Sequence, residues 1–233
     1  ALVIFKFWEH STISGVVGVT VGTSIIVILG LIDDKVQLSP TFKFMGQILA
    51  AIVLIICNMK LEFIHQPVLS VFLTILWVVF VTNAMNLIDI MDGLSSGVTI
   101  IATAIFFVIA VQNGRLNDMY ILAALGGAVL GFIPYNFPKA KIYLGDTGAL
   151  MMGFILASIA MGVDYSEVNQ LAVVSPFLIL AVPIFDTLFI MFLRHKKGKS
   201  MFRGSPDHLA LRMVKLGLTK KQTVLILWAV SLV

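Results

Sequence analysis

The residues in this sequence that are best suited to catalysis or metal binding are aspartates, and most of them lie beside long apolar segments. The chain has 12 Asp and Glu residues, and more than half lie in or beside four connections between long apolar segments. These are Asp33, Asp34, Asp89, Asp92, Asp146, Asp186 and Asp207. Carboxylates beside apolar segments are costly unless something charged or polar meets them, so they suggest a site for a metal ion or a cationic ligand.

An adjacent pair, Asp33 and Asp34, closes the first apolar segment. Two neighbouring carboxylates repel each other, and a cation, either Lys35 or a metal, would relieve that repulsion. The carboxyl end of a helix prefers positive charge, so the pair is poorly placed there. Taken by itself, such a pair is best interpreted as a solvated helix end.

The stretch from Asn83 to Leu94 mixes polar and apolar residues and contains no Lys or Arg. Asn86, Asp89 and Asp92 recur every three residues, which places them on one face of a predicted helix. A polar stripe on a buried helix end, facing a water-filled cleft, explains this alternation better than a solvated loop does. We therefore favour a binding site for a metal or cationic ligand here.

Two later stretches carry further candidates. Gly145-Asp146-Thr147-Gly148 comes immediately before an apolar helix, whose N-terminus can bind anions. Asp and phosphate oxygens commonly hold Mg²⁺, although taken alone this motif is better explained as a helix cap by Asp146 or Thr147. Asp186 follows Pro183 within an apolar segment, and an acid inside a membrane span is a functional candidate by default.

The composition shows which elements must position these residues. Of 233 residues, 59% are hydrophobic and 12% are charged, about half of the roughly 25% charged residues in soluble domains. Lipid must therefore cover much of the surface, and we predict an all-α, polytopic transmembrane bundle of about eight spans. The predicted spans are Ile13–Ile32, Thr41–Asn58, Val68–Ala84, Val98–Gln112, Tyr120–Tyr135, Ala149–Val163, Leu171–Leu193 and one starting near Val224. Runs such as Ile48–Cys57 lack the alternation of a strand barrel.

The distribution of basic residues predicts the orientation. Numbered after the first span, the odd connections hold 13 of the 16 Lys and Arg residues, which makes them cytoplasmic by the positive-inside rule. Most of these lie in a basic loop at 194–223, which fits anionic lipid headgroups or the phosphates of a ligand. That loop includes a short amphipathic helix on which His208 and Arg212 share a face. We treat residues 1–233 as a single membrane domain.

Taken together, the motifs resemble those of the polyprenyl-phosphate N-acetylhexosamine-1-phosphate transferases, a glycosyltransferase 4 type family. The bacterial N-acetylhexosamine branch fits better than the muramoyl-pentapeptide branch. The resemblance rests on four motifs in the family's order: Asp33-Asp34-Lys35, Asn83 to Leu94, Asn136 to Gly148, and Pro183-Ile184-Phe185-Asp186.

The resemblance implies an enzyme of the bacterial inner membrane with its active site on the cytoplasmic side. It would transfer an N-acetylhexosamine 1-phosphate from a UDP-sugar to undecaprenyl phosphate and release UMP. This is the first membrane step of a cell-surface polysaccharide pathway, such as cell wall, lipopolysaccharide or teichoic acid biosynthesis. The implied cofactor is Mg²⁺, with Mn²⁺ as a substitute. The implied partners are the UDP-N-acetylhexosamine, the polyprenyl phosphate, the membrane and a second copy of the chain in a homodimer, with no nucleic acid.

The resemblance also implies roles for individual residues. Asp146 is the implied Mg²⁺ ligand, with Asp89 as a second ligand or close neighbour. Asp33 and Asp34 would lie beside the acceptor phosphate and, with Asp89 and Asp92, form the catalytic set. Tyr143 is placed to stack on uracil. The other implied nucleotide, sugar and diphosphate contacts are Asn86, Asn136, Lys141, Asp186, Asp207, His208 and Arg212, together with Asp92.

Three departures from the family pattern keep two other classes open. Ile90-Met91 stands where the family usually has Gly-Leu, and His208 is the single histidine where many relatives have several, with Ala210 and Leu211 at the later positions. The family's first helices are missing as well, so we interpret the chain as part of a protein of about ten or eleven spans. The alternatives to the enzyme are a membrane transporter and an inactive membrane scaffold.

Overall fold

A computed structural model describes residues 10–61, 63–162, 174–198 and 207–232. These residues form ten α-helices and no strand, so the predicted all-α bundle is confirmed. The helices are α1 His10–Val36, α2 Pro40–Ile56, α3 Pro67–Leu87, α4 Leu94–Gln112, α5 Leu116–Asn136, α6 Gly145–Gly162, α7 Ser175–Ile179, α8 Ala181–Lys196, α9 Leu209–Lys215 and α10 Lys220–Ser231.

Five of these helices are long and apolar enough to cross a membrane. They are α1 (from Ser14), α3, α4, α5 and α6, each with at least 18 residues. The α2 helix is equally apolar but has 17 residues. Because an apolar helix of roughly 20 residues matches the hydrocarbon thickness, the chain is a polytopic membrane protein, as predicted.

The seventh predicted span, Leu171–Leu193, is wrong as a single helix. The structure divides it into α7 and α8, which meet at Leu180. Pro183 explains the break, because a proline ring clashes with the carbonyl four residues earlier, here that of Ile179. The first three residues of this prediction, 171–173, and Val163 at the end of the sixth predicted span lie outside the described ranges.

The α6 helix is the centre of the bundle. It packs against α1 on one side and α3 on another, and nearly all its residues from Ala149 to Met161 are buried. Two glycines allow the close approach, because a side chain at Gly30 would collide with the backbone of Thr147 and one at Gly153 with the backbone of Thr82. The structure therefore holds the N-terminus of α6 directly against the end of α1.

One end of the bundle gathers most of the predicted site, and we call it the carboxylate face. It is the end at which α1, α3 and α5 finish and α2, α4 and α6 begin. Hydrogen bonds join its connections, from Thr147 to Asp34 and from the Ala140 amide to Asp92. These hydrogen bonds bring the first, third and fifth connections together, while the cytoplasmic orientation of this end stays a prediction. Lys199, Arg203 and Pro206 of the basic loop lie outside the described ranges.

Candidate active site at the carboxylate face

Asp34 caps the N-terminus of α6 from the end of α1. Its Oδ1 accepts a hydrogen bond from the Asp146 amide at 3.0 Å, and its Oδ2 accepts from the Thr147 amide at 3.3 Å and the Thr147 hydroxyl at 2.6 Å. A carboxylate at a helix N-terminus satisfies free amides and complements the helix dipole. The Asp pair that is unfavourable at the end of α1 is thus stabilised by α6, and the cap predicted for Asp146 or Thr147 comes instead from Asp34.

Lys43, in the first turn of α2, joins the predicted catalytic residue Asp33 to the predicted metal ligand Asp146. Its ammonium forms ion pairs with Asp33 and, at 2.6 Å, with Oδ2 of Asp146. Asp33 is buried and also accepts a hydrogen bond from the Leu38 amide at 2.7 Å. This arrangement places a positive charge between two carboxylates that the sequence separates by more than a hundred residues.

The stretch around Asp89 and Asp92 differs from the predicted polar helix face. The α3 helix ends at Leu87, so Asn86 lies in its last turn, while Asp89 and Asp92 lie in the turn 88–93 before α4. The predicted helix through all three residues is therefore wrong. Asp92 uses its Oδ2 to accept a hydrogen bond from the Ala140 amide at 3.0 Å, which ties this turn to the connection after α5.

The second carboxylate in this turn is Asp89. It is half-buried, and no Lys, Arg or His of the described residues forms an ion pair with it. The pKa of the Asp89 carboxyl is raised to about 7. Burial is the main cause, and the neighbouring carboxylates of Asp146 and Asp92 contribute to the same rise. A cation bound beside Asp89 would therefore stabilise the charged form of its carboxylate.

The raised pKa predicts that Asp89→Asn stabilises the metal-free protein at alkaline pH. The Asp89 pKa rises from 3.8 to about 7 on folding, so the charged form is disfavoured in the folded state. The variant should gain nothing below pH 4, gain progressively up to pH 7, and gain on the order of 2 to 4 kcal/mol above it. Thermal unfolding in detergent with a chelator, at pH 5 and pH 8, measures this difference.

Asp92→Asn is the matched control for that measurement. The Asp92 carboxylate accepts a hydrogen bond from the Ala140 amide, so its replacement should not stabilise the protein at either pH. A stability gain for Asp89→Asn that is the same at both pH values, or no gain at pH 8, would contradict the explanation by burial and like-charge repulsion.

Asn136 connects three parts of the carboxylate face. It is 3% exposed; its Oδ1 accepts hydrogen bonds from the Gly93 amide at 2.9 Å and the Ser96 hydroxyl at 3.0 Å, and its Nδ2 donates to the Ile142 carbonyl at 3.1 Å. Gly93 has a positive φ of 79°, a conformation that glycine adopts without steric cost. Asn136 therefore fixes the start of α4 and the connection after α5, so its predicted nucleotide contact remains a prediction.

Asp186 and His208 form a buried pair, and Asp186 lines a small cavity together with Ile88 and Ile90 of the turn 88–93. The Asp186 carboxylate contacts Nδ1 of His208 at 2.7 Å through Oδ2, and accepts a hydrogen bond from the Leu209 amide at 2.6 Å through Oδ1. Asp186 and His208 are 4% and 3% exposed. Both oxygens of Asp186 are thus used to hold the start of α9, and the predicted ligand contacts of Asp186 and His208 stay predictions.

Asp207 and Arg212 are close to His208 in the sequence, and both are less buried than the Asp186–His208 pair. Asp207 lies 2.6 Å from the Lys197 ammonium and 3.4 Å from Nη2 of Arg212. The Lys197 ammonium is the main cause that holds the pKa of the Asp207 carboxyl below its usual range, and Arg212 contributes as well. The Arg212 guanidinium also lies over the ring of Phe189, 5.1 Å from its centroid, so Arg212 and Asp207 both connect α9 to α8.

The remaining predicted ligand residues are more accessible. Lys141 and Tyr143 lie in the connection between α5 and α6, and Tyr143 is 78% exposed. Asn86 is half-buried at the end of α3. The position of Tyr143 leaves its ring open for stacking on a planar ligand, and the contacts of these three residues with a nucleotide remain predictions.

Comparison with known proteins identifies the family of the chain. The model of the family described as glycosyl transferase family 4 matches residues 16–164, which include the Asp33-Asp34 pair, the turn 88–93 and Asp146. The chain belongs to this family. The matched residues thus include Asp33, Asp34, Asp89, Asp92 and Asp146, and they end before Asp186 and His208.

Curated relatives extend the similarity beyond the region matched by glycosyl transferase family 4. The chain is 34% identical to the probable undecaprenyl-phosphate N-acetylglucosaminyl 1-phosphate transferase of Bacillus subtilis, over 92% of this chain and 63% of the relative. It is 32% identical to the decaprenyl-phosphate N-acetylglucosaminephosphotransferase of Mycobacterium tuberculosis, over 92% of this chain and 61% of the relative. The chain therefore spans less than two thirds of the length of these two relatives.

A relative from the muramoyl-pentapeptide branch of the family is also similar. The chain is 29% identical to the phospho-N-acetylmuramoyl-pentapeptide-transferase of Listeria monocytogenes, over 99% of this chain and 77% of the relative. The identity is lower than for the two N-acetylglucosamine relatives, which is the order that the sequence motifs predict.

The oxygen donors at the carboxylate face are of the kind that fits Mg²⁺. Among the described residues no three His, Cys, Asp or Glu side chains lie close enough together to hold a metal by themselves. Mg²⁺ often takes only one or two carboxylates and completes its shell with water and substrate phosphates. Asp146 and Asp89 are oxygen donors of that kind, and the electrostatic repulsion between them is what a divalent cation would relieve.

Lys43 is the site residue that the sequence motifs miss. In the sequence it counts only as one more cation on the cytoplasmic side, because nothing nearby marks it as a partner of Asp33 or Asp146. The signal that could have found it is a lysine in the first turn of an otherwise apolar helix, where a charge needs a partner close to the membrane boundary.

Proposed function

We propose that the whole protein transfers an N-acetylhexosamine 1-phosphate from a UDP-sugar to a polyprenyl phosphate and releases UMP. The observation that carries the proposal is the cluster of Asp33, Asp34, Asp146 and Lys43 at the end of the apolar helices. A lipid phosphate lies at this level of a membrane while its tail stays in the bilayer. The names of the N-acetylglucosamine relatives support the same substrate class.

The proposed reaction is a phosphoryl transfer. An oxygen of the polyprenyl phosphate attacks the β-phosphorus of the UDP-sugar, and the bond from that phosphorus to the bridging oxygen breaks, so that UMP leaves with the electron pair. A phosphate monoester has a second pKa near 6 and is mostly a dianion at pH 7, so a strong general base is unnecessary. Holding two anions together is then the main catalytic task.

The residues of this chain divide that task. Lys43 supplies a fixed positive charge beside the acceptor, and Asp34 keeps the N-terminus of α6, and with it Asp146, in place. We propose Asp146 and Asp89 as the residues that would hold Mg²⁺, or Mn²⁺ in its place. When bound, this cation would neutralise phosphate charge. Asp33, oriented by the Leu38 amide and Lys43, would lie beside the acceptor phosphate.

We also propose that the carboxylate face is cytoplasmic and that the membrane is the inner membrane of a bacterium. The excess of Lys and Arg in the connections of this face supports the orientation, and the bacterial relatives support the location. The acids of the described ranges lie near helix ends or next to the turn 88–93. This position favours an enzyme over a transporter, whose ionisable groups are expected near the bilayer midplane.

Turnover of the full-length protein tests the proposal. Purified protein in detergent, supplied with polyprenyl phosphate, Mg²⁺ and a panel of UDP-sugars, should release UMP with at least one of them. Asp146→Asn should lower that rate by at least about a hundredfold, because it removes a charge from the reacting centre. Asp118→Asn, at the opposite end of the bundle beside Arg115, is the matched control and should keep most of the rate per folded molecule.

Two results would overturn this proposal. The first is a full-length protein that binds no UDP-sugar and releases no UMP with any member of the panel. The second is an Asp146→Asn variant that turns over as fast as the wild type.

A further inference from the structure

The α10 helix packs against the start of α4 through one large side chain. Its inward side carries Thr223, Val224 and Leu227, which are at most 4% exposed. The next residue, Trp228, lies with its indole on Gly97 in the first turn of α4, where an added side chain would collide with the ring. The absence of a side chain at Gly97 therefore lets the indole lie directly on the backbone of α4.

The indole of Trp228 also contacts a connection that belongs to the candidate site. Its ring centroid lies 4.8 Å from that of Phe137, at an interplanar angle of 45°. Phe137 is the first residue after α5 and opens the connection 137–144. Its side chain lies against Gly93 as well, where an added side chain would collide with it. Phe137 therefore contacts both the turn 88–93 and α10.

These two segments carry three of the predicted nucleotide contacts. Asp92 lies on the turn, and Lys141 and Tyr143 lie on the connection. Hydrogen bonds join the two segments, from the Ala140 amide to Asp92 and through the side chain of Asn136. The aromatic contact adds an apolar support to these polar ones, and it depends on α10.

A second contact of α10 supports the same turn. Leu227 lines a small cavity together with Ile88, Ile90 and Leu94, which belong to the turn 88–93 and to the first residue of α4. Two successive residues of α10 therefore lie beside the segments that carry the predicted nucleotide contacts.

Hydrogen bonding does not explain the tryptophan at this position. The Nε1–H of Trp228 is buried and has no hydrogen-bond partner among the described residues. A buried donor without a partner costs free energy, so the property that this position uses is the flat ring. Phenylalanine would keep a ring against Phe137 without the unpaired donor, whereas leucine would remove the aromatic contact.

We propose that Trp228 is a positioning residue for nucleotide binding, because its ring acts through Phe137 to hold the connection 137–144 against the turn 88–93. A segment that is already ordered loses less conformational entropy on binding, so Trp228 should act on nucleotide affinity. Asp146 is tied to α1 and α2 instead, so the rate of the bound complex should change little. This inference rests on the proposed function, since the ligand is the nucleotide of the UDP-sugar.

Kinetics of UMP release by the full-length protein test this role. Trp228→Leu should raise the KM for the UDP-sugar at least about fivefold and change kcat by less than about twofold. Trp228→Phe keeps a ring and should retain nearly the wild-type KM. Phe137→Leu removes the other ring and replaces Trp228→Leu if that variant does not fold.

Trp77→Leu is the matched control for these kinetics. It removes an indole of the same size, 9% exposed, that donates a hydrogen bond to the Ala157 carbonyl in α6. It should lower the unfolding temperature without raising the KM. An equal rise of KM in Trp77→Leu would overturn the inference, because any loss of a buried indole would then have the same effect.

Hydrogen exchange of the ligand-free protein tests the same contact without a substrate. The amides of residues 140–142 are all hydrogen-bonded. In Trp228→Leu they should exchange at least about tenfold faster than in the wild type, because the connection opens more easily. The Leu38 amide, which donates to Asp33 in the connection before α2, should keep its rate.

The two measurements separate this inference from the proposed function. If the wild type releases no UMP with any UDP-sugar, the proposed function fails, and the dissociation constant of UDP from isothermal titration calorimetry then replaces KM. Unchanged exchange at residues 140–142 in Trp228→Leu would overturn the positioning role. Faster exchange with unchanged nucleotide affinity, or a wild type that binds no UDP, would overturn its link to the nucleotide.

Discussion

Replacing Lys43 by methionine should lower turnover by at least about a hundredfold and destabilise the protein. The Lys43 ammonium pairs with both Asp33 and Asp146, and methionine keeps the length of the side chain while it removes the charge. Breaking a buried ion pair costs about 3 to 5 kcal/mol. About 2 kcal/mol is expected here, because the Lys43 side chain is 24% exposed and solvent screens part of the charge.

UMP release and thermal unfolding of the full-length protein measure the two effects of Lys43→Met. Lys60→Met is the matched control, because it removes a lysine from the opposite end of the bundle and should leave both quantities nearly unchanged. Lys43→Arg keeps the charge and should recover most of the stability, with less of the turnover, because a planar guanidinium cannot replace a compact ammonium between two carboxylates. Wild-type turnover in Lys43→Met would show that this lysine has no part in the reaction.

Replacing Asn136 by leucine should be the most destabilising single change at the carboxylate face. The variant leaves the Gly93 amide, the Ser96 hydroxyl and the Ile142 carbonyl without their partner. Each buried polar group left unpaired costs about 1 to 3 kcal/mol, so a loss of about 3 kcal/mol or more is expected. Thermal unfolding in detergent measures it, with Ser96→Ala as the control that removes one of these hydrogen bonds and should cost about 1 kcal/mol.

The same variants decide between two roles of Asn136. If it is mainly structural, Asn136→Leu lowers the unfolding temperature far more than Ser96→Ala does. If it contacts the nucleotide instead, Asn136→Leu keeps its stability and loses affinity for UDP in isothermal titration calorimetry. A variant that changes neither quantity would contradict both the hydrogen-bond geometry and the predicted ligand contact.

The break between α7 and α8 illustrates a boundary that hydropathy misses. The apolar run Leu171–Leu193 predicts one span, but Pro183 is incompatible with a regular α-helix that continues through Ile179 and Leu180. The feature of the sequence that indicates this break is the position of Pro183, and the hydropathy of the run does not show it. The break sets where α8 begins and thus where Asp186 meets His208 and α9.

Pairing of side chains is the feature that the sequence motifs could least predict. Asp34 looked unfavourable at the end of α1, and its partner, the N-terminus of α6, follows more than a hundred residues later. Asn136 belonged to a predicted ligand motif, yet its three hydrogen bonds go to the protein. Periodicity and spacing describe neighbours within one helix, and these partners come from different helices.

The sequence alone determined the membrane class, the positions of most helices and the grouping of the carboxylates at one end of the bundle. These follow from the length of apolar runs and from the distribution of Lys and Arg, which act locally along the chain. Only the tertiary structure decided which carboxylate caps α6, which ones Lys43 joins, and that no Lys, Arg or His of the described residues forms an ion pair with Asp89. Those pairings depend on how closely helices approach, as where Gly30 lets α1 reach Thr147, and helix packing is a property of the whole bundle.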